Sequence, residues 1–283
     1  MSSKTKLLEQ QRQWATSVGA DIDTRGYLSS VAENLYQPLS SRAFRDFSQG
    51  SGSELADTVR RPAKMKALHS SAALAVNVFD YWTDRNMDPI FAALEIDPSA
   101  ESIAFEAQFP TGHEGKPPNL DLGIRYRNGL VIGVESKISE WLTPKAPGKE
   151  QFKSKYFPES TELWSSRGLA ACQALAREMH EGTARFRYLD APQLLKHALG
   201  LATQHPGNFE LYYVYFDWPG PESSAHRSEV ERFENSVRQD FRFHVSTYQD
   251  VFTRLVSAAG TQHASYIRYL HERYFPSVPV AGI

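Results

Sequence analysis

The 283-residue sequence contains one cysteine, no long apolar run and almost no net charge. The single cysteine, Cys172, excludes an internal disulfide and a cysteine-rich zinc site. Cys172 lies among Leu169, Ala171 and Leu175, which favours a buried and unreactive thiol. Because no apolar run approaches the ~20 residues that cross a bilayer, we expect no membrane span and no membrane partner.

The N-terminal residues and the overall charge give further limits on the class of protein. Residues 1–14 lack the apolar core of a signal peptide, so we expect a soluble, cytoplasmic protein. The net charge of −2 and the pI of about 6.5 do not indicate nucleic-acid binding, which must therefore come from local basic patches. The sequence has no internal repeat, and its 41% of hydrophobic residues is enough for a large core.

Residues 119–137 are predicted to form a β-hairpin. On both sides of a turn near 128–129, apolar residues alternate with charged residues or glycine, which is typical of strands with two different faces. A two-residue turn at 128–129 would set Leu122 opposite Glu135. Apolar and charged side chains would then share a face, which sheets avoid.

A three-residue loop over 127–129, ending in a left-handed glycine within a bulge, shifts the pairing by one residue. The apolar side chains of the two strands then face one another. On the other face Asp121 falls opposite Glu135, and Lys137 lies one step further along. The apolar pattern therefore selects a register that brings two carboxylates and a lysine together.

Two carboxylates paired across strands repel each other by about 0.2–1 kcal/mol. A divalent metal ion offsets this repulsion, and hard oxygen ligands suit Mg²⁺. We also expect Gly123 and Gly133 to leave open space beside the carboxylates. The alternative is a solvated strand face on which Asp, Glu and Lys occur together by chance.

Asp121, followed on the next strand by Glu135-Ser136-Lys137, resembles the motif of the PD-(D/E)XK nuclease superfamily, although Pro118 precedes Asp121 at a slightly different spacing. The resemblance implies that Asp121 and Glu135 bind Mg²⁺, for which Mn²⁺ can substitute, with help from the Ser136 carbonyl. It also implies that Lys137 orients or helps to deprotonate the attacking water, or stabilises charge at the phosphorus.

A further glutamate is expected near this motif, because in many members of the superfamily a glutamate on the first core helix reaches the metal. Glu54 fits this role, since it follows the glycine-serine stretch 49–52, with Ser53 as a candidate helix cap. Its alternative role is to favour the helix dipole. Glu106 is the other candidate. It lies on a predicted strand at 102–109, on the face opposite the apolar residues of that strand. The alternative role of Glu106 is that of a solvated or salt-bridged strand residue.

The helix that begins near residue 190 carries another candidate site residue. Several groups of the superfamily have a glutamine there that reaches the site, which implies a catalytic role for Gln193. The alternative is a capping box in which Asp190 is the N-cap and Gln193 the third helical residue. Lys196 and His197 lie on or near the same face, and we expect His197 to be a surface or half-buried residue.

Two basic clusters are candidates for phosphate binding. The first precedes a long predicted helix, and the second follows the hairpin and is interleaved with Phe152, Tyr156 and Phe157. A flexible basic loop with stackable rings suits a nucleic-acid channel, although solvated lysines are usual for such runs and Glu150 lies nearby. The predicted nucleic-acid-binding residues are Arg60, Arg61, Lys64, Lys149, Lys153 and Lys155.

The chain pattern predicts an α/β (mixed α+β) fold with the core order αβββαβ, as in the restriction-endonuclease-like superfamily. A central mixed sheet is expected between helices, with extra N- and C-terminal helices. Besides the hairpin, the predicted strands cover residues 102–109, 185–189, 211–216 and 241–246. The predicted helices cover residues 27–36, 40–47, 63–84, 88–95, 162–181, 190–204, 225–238, 248–259 and 264–274, and residues 1–25 are expected to be a helix or a loosely held arm.

The resemblance divides the chain into three parts: an N-terminal helical arm (1–52), a nuclease-like core (53–217) and a C-terminal α/β extension (218–283) packed on the core, unless all form one continuous domain. The expected function is metal-dependent hydrolysis of DNA phosphodiester bonds that leaves 5′-phosphates. The alternatives are an inactive module of the same fold that binds nucleic acid or a protein, and an unrelated α/β module. A homodimer is common where both strands are cut.

Overall fold

The hairpin at residues 119–137 forms the centre of a five-stranded mixed sheet. The structure is a computed structural model that describes residues 1–50, 53–113, 115–149 and 151–280. In spatial order the strands are β1 (Ala100–Gln108), β2 (Asn119–Tyr126), β3 (Val131–Lys137), β4 (Phe209–Tyr215) and β5 (Arg242–Thr247). β1, β2 and β3 pair antiparallel, whereas β4 and β5 add in parallel to β3, so the predicted mixed sheet is confirmed.

The helices are α1 (Ser3–Ser17), α2 (Ser41–Gln49), α3 (Ser71–Ala75), α4 (Tyr81–Thr83), α5 (Asp88–Leu94), α6 (Ala170–Glu181), α7 (Ala191–Gln204), α8 (Pro221–Val237), α9 (Tyr248–Ala258) and α10 (Ala264–Tyr274). A π-helical segment, Val76–Asp80, joins α3 to α4. Short 3-10 turns lie at Ala32–Asn34, Lys64–Lys66, Glu140–Leu142, Ser154–Tyr156, Ser165–Arg167 and Thr261–His263.

Helices cover both faces of the sheet. On β3, the Glu135 side chain points to His197 of α7, with Nε2 and Oε2 3.0 Å apart. The hydroxyl of the next residue, Ser136, lies 2.6 Å from that of Tyr248 on α9. Because successive strand residues point to opposite faces, α7 and α9 lie on opposite sides of the sheet. The α/β layering predicted from the sequence is confirmed.

The register of the hairpin is the one that the apolar pattern predicts. Leu122 pairs with Val134 across β2 and β3. The Tyr126 N–H donates to the Leu130 carbonyl at 3.0 Å, and Gly129 has a φ of 83°, which glycine adopts without strain. The three-residue bulged loop is therefore confirmed.

The alternation of β1 breaks at Glu106, which has a φ of 48°. Phe105, just before it, packs against Phe47 of α2, with ring centroids 5.5 Å apart. Phe109, just after it, lies against Gly200 of α7, on the opposite face of the sheet. The prediction that the apolar residues of 102–109 share one face is therefore wrong, because a left-handed residue reverses the strand.

The predicted helix over 27–36 is wrong, because tertiary pairing fixes this segment. Tyr27 forms a β-bridge with Ala67. The Asn34 side chain donates to the carbonyls of Ala67, at 2.8 Å, and Met65, at 2.5 Å. Helix formation in the segment is limited to the 3-10 turn, because these long-range bonds replace the local helical ones.

The predicted helix over 63–84 begins only at Ser71. The hydroxyl of Ser70 accepts from the Ala73 N–H at 3.1 Å and therefore acts as the N-cap. The preceding basic stretch is irregular, apart from the 3-10 turn Lys64–Lys66. The apolar residues at helical spacing lie in helical structure only from Ser71 onward.

Two predictions after the hairpin also differ from the structure. The predicted strand at 185–189 is irregular, because the N–H groups of residues 187–189 donate to the carboxylate of Glu229 on α8, at 2.8, 2.8 and 2.9 Å, instead of to a neighbouring strand. The predicted helix at 162–181 is α-helical only from Ala170. The remaining predicted helices and strands match the structure within a few residues.

The flanking parts of the chain contact one another and the sheet. α1 packs against α10. The Ser3 hydroxyl of α1 donates to Glu222 of α8 at 2.6 Å. β5 joins the same sheet as β4. The division at residues 52 and 217 stays a prediction, and Ser51 and Gly52 of the predicted glycine-serine loop lie outside the described residues.

Cys172 is buried in the core, as predicted. Burial raises the pKa of its thiol well above the usual range, with Asp240 adding to the effect, so the thiol stays protonated. Across the described ranges, the helices all fall short of the length and apolar character needed to cross a bilayer.

Gly200 lies where α7 meets the end of β1, so that no side chain fits between them. A Cβ at this position lies 2.3 Å from the carbonyl oxygen of Phe109. Glycine to alanine ordinarily stabilises a helix by up to about 1 kcal/mol. Here we expect Gly200→Ala to lower the free energy of unfolding by about 1–3 kcal/mol, because the backbones must move apart.

Urea unfolding of the two proteins measures this difference. The control is Ser228→Ala on the exposed side of α8, which should stay within about 0.5 kcal/mol of the wild type. An unchanged or higher unfolding midpoint for Gly200→Ala would contradict the close approach.

Candidate active site

Asp121 and Glu135 meet at the end of the hairpin, as the predicted register requires. One Asp121 carboxylate oxygen accepts the backbone N–H of Ser136 at 2.7 Å. Because the N–H and C=O of a strand residue point the same way, the Ser136 carbonyl also faces the Asp121 side. Asp121 and Glu135 both line a cavity of about 410 Å³, together with Lys137 and Gln193.

Lys137 links the hairpin to α7. Its ammonium donates to Glu135, and it donates to the side-chain oxygen of Gln193 at 3.2 Å. Burial by itself lowers the pKa of Lys137, but the carboxylates of Glu135, Glu140 and Asp121 outweigh burial and raise this pKa well above its usual value. Lys137 is therefore a fixed positive charge in the site.

The two carboxylates differ in charge because their surroundings differ. Burial, followed by repulsion from Glu135, raises the pKa of Asp121 well above its usual value, although Lys137 and the Ser136 N–H act in the opposite direction. Burial also raises the pKa of Glu135, but Lys137 and His197 outweigh it, and the pKa of Glu135 is lowered. Glu135 is thus the carboxylate that stays ionised, and Asp121 is the one that a further cation would stabilise.

His197 is the functional-site residue that sequence reasoning missed. It was expected at the surface or half-buried, but it is 1% exposed, on the inner face of α7. Its Nε2 lies 3.0 Å from Glu135 Oε2, and within the described residues neither atom has another hydrogen-bond partner. Its spacing of four from Gln193 puts both on one helix face, and this spacing is the pattern that predicts it.

The backbone and the side chain of Gln193 make different contacts, one for each of its two predicted roles. Its backbone N–H donates to the Asp190 side chain at 3.1 Å, which confirms Asp190 as the N-cap. Its side chain extends to Lys137 and is available to the site. Gln193 therefore lies where the resemblance implied, and its catalytic role stays a prediction.

Glu54 and Glu106 line the same cavity as the hairpin carboxylates. Glu54 lies in an irregular segment and not on a helix, so the expected helix position is wrong, although its side chain is buried and pairs with Lys64 at 2.8 Å. Burial raises the pKa of Glu106, with Glu54 adding to the effect, while a hydrogen bond from Asn119 lowers it. Both glutamates remain candidates for an auxiliary ligand.

The space expected beside Gly123 and Gly133 does not exist. A Cβ at Gly133 lies 2.6 Å from Leu120, and one at Gly123 lies 2.9 Å from Ala107. Leu120 and Ala107 fill the space because β1 and β2 turn these side chains towards α7. The glycines therefore allow close packing under the site.

The aromatic rings of the second basic cluster point inward. The rings of Phe152, Tyr156 and Phe157 contact Trp164, with centroids 5.3, 6.1 and 6.2 Å apart, and Phe152 is buried. The prediction of a ring available for base stacking is therefore wrong for Phe152, whereas Tyr156 and Phe157 are half-buried and their availability stays a prediction.

The basic side chains of this cluster are exposed, and two of them lie near Lys196 at the cavity. Lys149, Lys153 and Lys155 are exposed. Burial lowers the pKa of Lys196, which lines the cavity, and the charges of Lys145, Lys155 and Lys153 lower it further despite the nearby Asp190. Lys153 and Lys155, from the loop after the hairpin, thus lie near Lys196 of α7.

Of the first basic cluster, Arg61 and Lys64 line a second cavity, which also includes Asp121, and Arg60 is exposed beside them. Their role in nucleic-acid binding stays a prediction.

Within the described residues, no three His, Cys, Asp or Glu side chains form a ready-made metal site. Glu135 is engaged by Lys137, and Asp121 by the Ser136 N–H. The oxygens of these two carboxylates and the Ser136 carbonyl are nevertheless the hard donors that Mg²⁺ prefers, and the raised pKa of Asp121 marks a carboxylate short of positive charge. The donor set therefore fits a hard divalent ion.

Comparison with known proteins gives one family. The model of the family described as Restriction Endonuclease associating with ARP matches residues 7–275, which span nearly the whole chain. Searches of curated proteins and of solved structures gave no match. The family and the mixed sheet are consistent with the PD-(D/E)XK superfamily.

Proposed function

Because the chain belongs to the family of restriction endonucleases associating with ARP, we propose that it is a Mg²⁺-dependent endonuclease that hydrolyses phosphodiester bonds of DNA and leaves 5′-phosphates. The observation that carries the proposal is the set of charges in one cavity. Asp121, Glu135 and Lys137 line it together with Gln193. Their spacing along the hairpin follows the register of β2 and β3.

Asp121, Glu135 and the Ser136 carbonyl would hold the Mg²⁺ ion, for which Mn²⁺ can substitute. When bound, the ion lowers the pKa of a water and shields the negative charge of the phosphate. Glu54 and Glu106 are the candidate auxiliary ligands, since both line the same cavity. The raised pKa of Asp121 supports the proposal that an ion binds there. Burial and repulsion from Glu135 make the ionised form of Asp121 unfavourable, and an added cation would stabilise that form.

Lys137 stabilises the charge that develops on the phosphate oxygens. The carboxylates around it raise its pKa well above the usual value, so it brings a positive charge to the site. The Gln193 oxygen, 3.2 Å away, fixes the direction of the ammonium. A positive charge fixed in a buried site costs no reorganisation during the reaction.

The phosphate backbone on either side of the scissile bond contacts the basic residues around the cavity. Lys153 and Lys155 lie near Lys196, which lines the first cavity, and Arg61 and Lys64 line the second cavity. Lys149 and Arg60 are exposed members of the same two basic clusters. Such contacts make binding depend steeply on salt and carry no sequence preference by themselves.

An inactive module that binds nucleic acid or a protein is the second candidate. One observation favours it: buried Glu135 already has the Lys137 ammonium as an ion-pair partner, and His197 Nε2 lies 3.0 Å from its other oxygen. In that case the site charges serve stability alone.

The test is a cleavage assay on supercoiled plasmid, linear duplex, single-stranded DNA and RNA, with Mg²⁺, Mn²⁺, Ca²⁺ or EDTA. We expect internal cleavage of DNA with Mg²⁺ or Mn²⁺, and none in EDTA. Ligation of the products without kinase treatment would identify 5′-phosphates. Equal rates in EDTA and Mg²⁺ would contradict the metal, and an absence of cleavage on every substrate would favour the binding module.

A further inference from the structure

A second cavity adjoins the first and is not explained by the proposed chemistry. It has a volume of about 370 Å³. It shares Glu54, Lys64, Glu106 and Asp121 with the first cavity, so the two spaces meet at the carboxylates. A strand cleaved at the carboxylates must continue beyond them, and this cavity offers it a route.

Basic side chains from separate parts of the chain converge on this cavity. Lys4 comes from α1 and Arg61 from the irregular stretch before the 3-10 turn Lys64–Lys66, and both line the cavity. Within the described part of the chain, neither side chain forms an ion pair. Lys64, in contrast, pairs with Glu54 at 2.8 Å. Lys4 and Arg61 are therefore the cations available to an anionic ligand.

His69 gives an independent indication of a ligand. Its Nδ1 is buried and, among the described residues, lacks a hydrogen-bond partner. Burial, followed by the charge of Lys4, lowers the pKa of His69, so the ring is neutral and can donate from one nitrogen. A buried polar atom without a partner calls for a ligand or a water, and His69 lines the same cavity as Lys4 and Arg61.

The acidic residues of the cavity already have partners. Glu140 accepts the N–H groups of Ile138 and Ser139, each at 2.9 Å. Glu54 is paired with Lys64, and Glu106 accepts from Asn119. Lys64 therefore offsets the charge of Glu54, whereas Glu140 and Glu106 keep their charge, which Lys4 and Arg61 must outweigh for an anion to bind.

α1 is fixed at several points, so Lys4 has a defined position. The neighbouring residue, Ser3, donates to Glu222 of α8 at 2.6 Å. Further along the helix, the Gln11 amide donates to the Arg273 carbonyl at 3.1 Å, and both side chains are buried. These contacts fix the backbone from which the Lys4 side chain reaches the cavity.

We propose that the second cavity binds a backbone phosphate of the nucleic-acid strand next to the scissile phosphate. Lys4 and Arg61 neutralise that phosphate, and His69 donates a hydrogen bond to it. This inference rests on the proposed function and adds a subsite built partly from α1. The N-terminal helix, in this view, is part of the substrate-binding surface.

Binding of labelled duplex DNA by the full chain, in Ca²⁺ and over a range of salt, tests the subsite. For Lys4→Ala and Arg61→Ala we expect the slope of log K against log salt to fall by about 0.9 for each lost phosphate contact. The affinity at low salt should fall about fivefold or more. Lys6→Ala, an exposed lysine on the same helix, is the matched control and should bind like the wild type.

A second measurement separates a strand phosphate from free phosphate. His69 ring resonances are followed by NMR as inorganic phosphate and, separately, a short single-stranded oligonucleotide are added. We expect the oligonucleotide to shift them at a lower concentration than inorganic phosphate, and the Lys4→Ala, Arg61→Ala double variant to reduce both shifts.

The outcomes distinguish the subsite from the proposed function. A wild type that binds and cleaves DNA, with Lys4→Ala and Arg61→Ala variants that keep its salt slope, would overturn the subsite and leave the nuclease intact. Shifts of His69 by inorganic phosphate alone would assign the cavity to the free ion and overturn the strand assignment. A wild type that neither binds nor cleaves DNA would overturn both.

Discussion

Replacing Asp121 with asparagine should lower the rate of DNA cleavage by more than about 100-fold, since changes to groups that only support metal ligands already cost 10–100-fold. The substitution removes one negative charge from the proposed ion site and keeps the shape of the side chain. An asparagine oxygen can still accept the Ser136 N–H, which Asp121 accepts at 2.7 Å. The expected loss is therefore in chemistry and not in folding.

Thermal unfolding in EDTA provides the second measurement. Because burial and Glu135 both raise the pKa of Asp121, a neutral side chain relieves the repulsion, and the Asp121→Asn variant should unfold no earlier than the wild type. Asp84→Asn, an exposed aspartate, is the control for both measurements. Wild-type cleavage by a folded Asp121→Asn protein would remove Asp121 from the reaction.

Lys137→Met should lower both cleavage and stability. The cleavage rate should fall by about 10²–10³-fold, because a fixed charge aimed at the phosphate is lost. The free energy of unfolding should fall by about 3 kcal/mol, because buried Glu135 loses its cation and keeps only His197. Single-turnover cleavage and urea unfolding measure the two effects.

A double variant separates these effects. Adding Glu135→Gln to Lys137→Met removes the unpaired buried charge, so stability should recover in part while cleavage stays low. Lys6→Met is the control for loss of a lysine at the surface. If the double variant is as unstable as the sum of the single changes, the Lys137–Glu135 pair is not coupled.

The hairpin could be predicted in detail because its sequence restricts the register. Apolar residues alternate on both strands, and one turn length alone puts them on a common face, with Leu122 opposite Val134. The position of Asp121 and Glu135 then follows from residues only a few positions away. The local pattern was sufficient because the strands are neighbours in sequence.

Other features depend on contacts between distant parts of the chain. The alternation of β1 predicts one face, but the left-handed backbone at Glu106 turns its second half towards α7. The rings of Phe152 and Tyr156 are oriented by their contacts with Trp164, which lies later in the chain. The direction in which these side chains point depends on which surface is available for packing. The spacing of residues within one segment does not indicate where that surface lies.

His197 illustrates the same limit within the site. Its helix face could be inferred from Gln193, but its burial depends on the docking of α7 against β3. A histidine in an apolar helix is compatible with the surface or the core until the partner strand is known. The carboxylates of the site were therefore easier to predict than the residue that packs against Glu135.

The joining of hairpin and helix in one site also sets an order for folding. A hairpin closes within about 1–10 μs, whereas α7 must first close a much longer loop. Until α7 docks, Gly133 lacks the cover of Leu201, and Glu135 has Lys137 but not His197 beside it. Before α7 docks, the repulsion between Asp121 and Glu135 is offset by Lys137 without His197, so the segment that carries the chemistry gains its full stability only after α7 has docked.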